Sequence, residues 1–194
     1  PNEVEIIPEG FEDYLIVTLN GNNQVVKIKN ETGEISWAST VGVAPYGVVA
    51  ANGKLYVTNW TGGIPDESDP DVAGGPWGKA KVNAVNGSTR EGTVSVLDPA
   101  NGNVLSEIEV GLHPNDIVNS PDERYVYVAN GMDNAIAVVQ LGSKASSKGK
   151  TETSVVAGFI PTGAYPGAVC VTGGELFVAN IEAEGARIPD NNLI

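Results

Sequence analysis

His113 is the only histidine in the chain, and it stands in Leu112-His113-Pro114-Asn115-Asp116, beside an amide and a carboxylate. Imidazole, amide and carboxylate this close in sequence could supply a general base, a metal ligand or a hydrogen-bonding pocket. A metal centre of the His-rich kind needs a second histidine, and the sequence places no Ser or Cys beside His113 as a nucleophile. A hydrogen-bonded or solvated loop histidine accounts for it more simply. No residue is assigned a catalytic role.

A second group is oxygen-rich: Asp66, Glu67, Asp69 and Asp71 lie in Pro65-Asp66-Glu67-Ser68-Asp69-Pro70-Asp71. Such a run could hold a divalent cation, with Asp66, Asp69 and Asp71 as the candidate ligands. It lacks the spacing and the distal Glu of an EF-hand loop, so a solvated acidic loop is the simpler reading. No cofactor is predicted beyond that candidate metal. Trp60 and Trp77 bracket the same stretch, either as an aromatic platform for a sugar or as pins that hold a long loop to the surface. Tyr46 and Tyr165 join Trp60, Trp77, His113, Asn115 and Asp116 as ligand-binding candidates.

The elements that would position these residues are repeated. Gly42-Val43-Ala44-Pro45 leads to Tyr56-Val57-Thr58-Asn59, Gly111-Leu112-His113-Pro114 to Tyr127-Val128-Ala129-Asn130, and Gly163-Ala164-Tyr165-Pro166 to Phe177-Val178-Ala179-Asn180. The interval from Pro to Asn is 14, 16 and 14 residues. A degenerate copy, Leu15-Ile16-Val17-Thr18-Leu19-Asn20, lies near the start. Pro45, Pro114, Pro166, Asn59, Asn130 and Asn180 are read as structural punctuation: Gly permits a turn, Pro pre-sets φ, and Asn bonds the adjoining loop.

Each repeat divides into four short alternating strands, expected near 47–51, 54–59, 92–98 and 104–110 in one copy and 116–120, 125–130, 135–141 and 154–160 in the next. Asn20-Gly21, Asn52-Gly53, Asn101-Gly102 and Asn130-Gly131 are read as hairpin turns with positive φ. No segment holds a helical apolar period. Four-stranded antiparallel units of this length predict an all-β propeller, with blades at about 3–41, 42–110, 111–160 and an incomplete 161–194. About three and a half blades fall short of the roughly 4–8 of a closed ring, so remaining blades or a partner are expected to complete it. Insertions at 60–91 and 142–153 emerge on opposite faces, the first on the rim of the Gly-x-x-Pro loops. Among the first strands of the blades, only Asp116 is expected to be charged, and Cys170 is expected to be a small buried hydrophobe.

The net charge of −13 argues against a nucleic-acid or anionic-membrane partner, which would be repelled. Lys144, Lys148 and Lys150 form the one basic cluster, in a stretch read as a solvated loop. No run of about 18 apolar residues offers a membrane span. The chain begins at Pro1 and is expected to be a processed or excised piece.

Lys54-Leu55-Tyr56-Val57-Thr58-Asn59 and Gly92-Thr93-Val94-Ser95-Val96-Leu97-Asp98 resemble the YVTN-type propeller repeat. The insertion after Asn59, the phrase 158–166 and Leu176-Phe177-Val178-Ala179-Asn180 are similar to the YncE-like propeller that precedes an alkaline-phosphatase-like domain in some bacterial extracytoplasmic proteins. The resemblance implies a location outside the cytoplasm and a C-terminal domain that would carry any phosphatase machinery. The expected function is a non-catalytic binding or scaffold module that recognises a protein, small molecule or glycan through the rim loops and the 60–91 insertion. The alternatives are the propeller half of a hydrolase, phosphoesterase-associated or lactonase-like, and a carbohydrate-binding surface protein.

Overall fold

A computed structural model describes residues 1–75, 78–142 and 153–182. Its strands run in chain order as β1 (Val4–Glu9), β2 (Glu12–Leu19), β3 (Gln24–Lys29), β4 (Ile35–Thr40), β5 (Pro45–Ala51), β6 (Lys54–Asn59), β7 (Val72–Gly75), β8 (Gly78–Lys81), β9 (Thr93–Leu97), β10 (Val104–Glu109), β11 (Pro114–Asn119), β12 (Tyr125–Asn130), β13 (Ala135–Gln140), β14 (Val155–Pro161), β15 (Ala164–Thr172) and β16 (Glu175–Glu182). All pairings are antiparallel. Three four-stranded sheets form, β1–β4, β5-β6-β9-β10 and β11–β14, followed by the two-stranded β15–β16. The hairpin β7–β8 lies inside the 60–91 insertion.

Period-2 alternation builds the stack, because each inner sheet must bury both of its faces. One face of the second sheet presents Val48, Leu55, Val57 and Leu97 to Ile7, Ile16 and Val25 of the first sheet. Its other face presents Val49, Tyr56, Val94 and Val96 to Ile117, Val126, Val128, Ala137 and Val139 of the third. Ala129 and Ile136 of the third sheet then meet Val169 of the fourth. The innermost strands β5, β11 and β15 are neighbours, and β1 packs against β5, so first strands line one axis.

The repeated phrase is one hairpin unit. Pro45 is the register partner of Asn59, Pro114 of Asn130 and Pro166 of Asn180, and a bulge follows each Pro. A Cβ built on Gly42 would lie 2.5 Å from Asn59 Cγ, and one on Gly163 2.7 Å from Asn180 Nδ2. Gly111 is similarly closed off by Asn130. Of these three glycines only Gly111 has positive φ, so close approach of the Asn, rather than turn geometry, is the shared reason for glycine. The left-handed residue in each loop is instead the one before Pro: Ala44, His113 and Tyr165, at φ 56°, 53° and 52°.

Asn52-Gly53 has both residues at positive φ, as a type I′ hairpin turn requires. Asn20-Gly21 and Asn130-Gly131 do not form such turns. Single 3₁₀ turns, Asn20–Asn22 and Gly131–Asp133, stand there, and the left-handed positions fall on Asn23 and Asn134. Cys170 is exposed rather than buried, because it lies on the face of the fourth sheet turned away from the third. Among the described residues no helix is long and apolar enough to cross a membrane.

Candidate functional site

Three sheets meet at the rim that carries the Gly-x-x-Pro loops. Trp60 follows the end of β6, and its backbone N–H donates to Ala44 O at 3.1 Å, which turns the start of the insertion onto this rim. Thr61 N donates to Val43 O at 3.3 Å and Val43 N to Gly62 O at 2.7 Å, so the insertion and the inter-sheet loop are laced together. The first residues of the large insertion therefore lie beside these loops.

Trp60 Nε1 donates to Asn115 Oδ1 at 2.9 Å, and Asn115 Nδ2 donates to Pro166 O at 3.0 Å. One amide thus ties the second, third and fourth sheets together. The Trp60 and His113 rings lie 4.0 Å apart by centroid, tilted by 33°. His113 Nδ1 and the Tyr165 hydroxyl share a hydrogen bond of 3.0 Å. Glycine at 131 makes this closure possible, since a Cβ there would lie 2.6 Å from Asn115 Nδ2 and 2.7 Å from Tyr165 Cε1. Trp60 also packs against Val43, Ala44 and Ala80 of the β8 strand, which pins the insertion to the rim.

Burial pushes the His113 imidazole below its ordinary pKa, with Asp133 pulling the other way, so it is neutral near pH 7. Burial raises the Tyr165 phenol, while hydrogen bonds from Trp60 and Asn115 oppose that. Tyr46 stands 38% exposed, and its carbonyl accepts a bond from Thr18 Oγ1 at 2.8 Å. Its neighbours are held the same way: Asn20 Nδ2 donates to Pro45 O at 3.3 Å, and Ala44 N donates to Asn23 Oδ1 at 2.9 Å. The first sheet therefore sets where Tyr46 sits on the rim. Trp77 lies outside the described residues, as do Lys144, Lys148 and Lys150.

Asp116 points to a different task from His113. Its Oδ2 accepts from Val169 N at 2.7 Å and its Oδ1 from Ile117 N at 2.8 Å, so it bridges the third and fourth inner strands. The first inner strand does the same to the second. Val48 N donates to Glu3 Oε2 at 3.1 Å and Ala50 N to Glu5 Oε1 at 3.3 Å. These two carboxylates correct the expectation that Asp116 alone is charged among the inner strands. The alternation Glu3, Glu5, Ile7 puts all three on the face turned to the second sheet, a signal present in the sequence but hidden by the degenerate first repeat.

In the acidic run, Asp66 Oδ1 accepts from Ser68 N at 2.7 Å and Ser68 Oγ at 2.6 Å, an Asx turn. Asp69 Oδ1 lies 3.8 Å from Lys81 Nζ, which also reaches Glu91 Oε1 at 3.1 Å. Asp71 contributes its carbonyl to Val82 N at 3.0 Å. The Asp66 and Asp69 carboxylates are thus engaged within the insertion, Asp71 takes part through its backbone carbonyl, and among the described residues no cluster of three His, Cys, Asp or Glu converges.

No protein-family model matches the chain, and no curated protein matches it in sequence. Solved structures do. Kuenenia stuttgartiensis hydrazine synthase is 23% identical over 80% of this chain and 35% of its own, with a TM-score of 0.51. The chain has a β-propeller fold. A protein of unknown function from Desulfotomaculum acetoxidans is 16% identical over 86% of this chain and 59% of its own, with a TM-score of 0.43. The periplasmic gluconolactonase of Pseudomonas aeruginosa is 13% identical over 93% of this chain and 57% of its own, at 0.33. This chain spans about a third of the hydrazine synthase chain and less than two thirds of the other two.

Proposed function

We propose that this propeller segment is a non-catalytic binding or scaffold module of YVTN type, part of a bacterial extracytoplasmic protein, and that it recognises its ligand through the Gly-x-x-Pro rim and the 60–91 insertion. One observation carries the reading. Tyr46, Trp60, His113 and Tyr165 come from three successive sheets to one rim, and the polar atoms of the last three bond to one another or to Asn115. The rim therefore offers aromatic surface on a rigid frame, the form suited to a glycan or to an apolar side chain of a protein. The location outside the cytoplasm follows from the family resemblance of the repeat.

Further blades complete the ring in this reading. Val4 and Ile6 are exposed on the first sheet, and Phe177 and Ile181 on the last, surfaces that neighbouring blades would cover. The test is a glycan array run with the wild type and with Tyr46→Ala, beside a lactone-hydrolysis assay on both. Binding that Tyr46→Ala abolishes, with hydrolysis at background, supports the module. Hydrolysis that disappears in His113→Ala would replace it with the lactonase alternative.

A further inference from the structure

Glu3, immediately before β1, and Gly47 and Asp116 in β5 and β11 occupy matching places along three successive inner strands. Glu3 N donates to Thr18 Oγ1 at 3.0 Å, and Gly47 N makes the matching bond to Thr58 Oγ1 at 2.7 Å. Asp116 is the register partner of Ala129, the residue that stands where Thr58 stands in the previous repeat. The middle strand offers no side chain between the two carboxylates. A Cβ on Gly47 would lie 3.1 Å from Glu3 Oε2 and 3.3 Å from Ile117 N, the amide that Asp116 Oδ1 accepts. We propose that Glu3 and Asp116, facing each other across Gly47, form a proton-controlled latch in which uptake of one proton tightens the seam between the first two sheets and its loss loosens it.

Glu3 Oε2 borders the side-chain-free Gly47 directly and Asp116 lies one amide further on, through Ile117 N, so the two carboxylates, each half withdrawn from water, cannot both ionise without cost. Burial, then Asp116, then Glu5 push Glu3 up from 4.5 to about 7, while the Val48 N–H pulls it back. Asp116 is itself raised by burial, against the pull of the Val169 and Ile117 amides. Asp116 from β11 and Glu5 from β1 are the charged groups that face Glu3, and the inner strands β1, β5, β11 and β15 contain no Lys, Arg or His that would neutralise the pair.

The sign follows from linkage. A carboxyl whose folded pKa exceeds its unfolded value holds more protons when folded, so the seam is strongest on the acid side and weakens as pH rises from about 4.5 through about 7. The first sheet also fixes Tyr46 through Thr18, and Ala44 and Pro45 through Asn23 and Asn20. A loosened seam therefore moves the rim, and the latch would make the proposed recognition face pH-dependent. That last step rests on the rim being the recognition face, whereas the latch itself does not.

Hydrogen exchange of the Ala44 amide, which crosses the seam to Asn23 Oδ1 without touching Glu3, tests it in the wild type and in Glu3→Gln, read as protection factors at pH 5.5 and 8.5. Glu3→Gln keeps the acceptor without the charge. The wild type should lose roughly tenfold in protection across that range, the full linkage discounted for partial exposure, and Glu3→Gln should stay flat. The carboxyl carbon of Glu3, followed by NMR, should titrate near 7, and Asp116→Asn should move that midpoint downward. A Glu3 midpoint in the ordinary carboxylate range, or an unchanged slope in Glu3→Gln, overturns the latch whatever becomes of the rim.

Discussion

Gly42 and Asn59 are packed so closely that a Cβ on the glycine would lie 2.5 Å from the Asn59 Cγ, and equally close to Gly62 O. The pairing explains why the first and last residues of the repeated phrase travel together. Asn59 spends its amide on Thr93 Oγ1 at 3.0 Å and Ser95 Oγ at 2.8 Å, and Asn130 spends its own on Val110 O at 2.5 Å. The glycine is what lets each amide lie flat beneath the loop. Gly42→Ala should therefore destabilise the protein by about 1–3 kcal/mol, the usual cost of overpacking. Gly21→Ala should change little, because nothing lies within 4 Å of a Cβ there and its φ is not positive. Equal midpoints for the two variants in urea denaturation would refute the account.

The Asn115 amide is the second point of leverage. Trp60→Phe keeps the ring beside His113 but leaves Asn115 Oδ1 without its donor in a buried position. A buried acceptor stripped of its partner costs about 1–3 kcal/mol. Asn115→Ala removes the bond to Pro166 O as well and should cost at least as much. Denaturant titration of both variants checks this, and a Trp60→Phe midpoint at the wild-type value would mean that the indole N–H is not holding the seam.

Local pairings were readable from sequence and distant ones were not. The alternation in Tyr125-Val126-Tyr127-Val128 and the fixed interval from Pro to Asn report contacts between adjacent strands, so sheet membership followed directly. Trp60 and Asn115 are 55 residues apart and belong to different sheets, and no short-range spacing encodes their bond. The inner-strand position of Glu3 and Glu5 is not legible in the sequence, because no Gly-x-x-Pro loop precedes β1 to mark it as an inner strand. Cys170 is exposed against expectation for a related reason. Apolar alternation says that a face wants cover, but not whether a neighbouring sheet supplies it.

The neutral imidazole of His113 gives a pH dependence opposite in sign to that of Glu3. A base whose folded pKa lies below its unfolded value of about 6.5 holds fewer protons when folded. Its contribution is complete above about pH 6.5 and is lost as pH falls below that value. His113→Gln should remove this acid-side loss, so the difference in Tm between wild type and variant should narrow as pH drops from 7 to 5. Thermal melts at pH 5, 6 and 7 measure it. A gap that widens toward acid would mean that the ring is better charged than neutral when folded.

Lys27 is 3% exposed, yet it is held on every side: its ammonium pairs with Glu9, donates to Pro99 O at 3.1 Å and sits 4.3 Å over the Tyr14 ring. The Pro99 carbonyl also accepts from Trp37 Nε1 at 3.1 Å, so it keeps a donor if the lysine is replaced. Glu9 is half exposed and can return to water. Lys27→Met fills the same volume, strands no buried partner and escapes the desolvation of a buried ammonium, so it should be neutral or slightly stabilising. Glu9→Gln should do the reverse and cost about 1–3 kcal/mol, less than the loss of a fully buried ion pair, because it leaves the ammonium buried with a weaker acceptor. Urea denaturation ranks the three proteins. Lys27→Met falling below Glu9→Gln would show that the cation contributes more through Tyr14 and Pro99 than its burial costs.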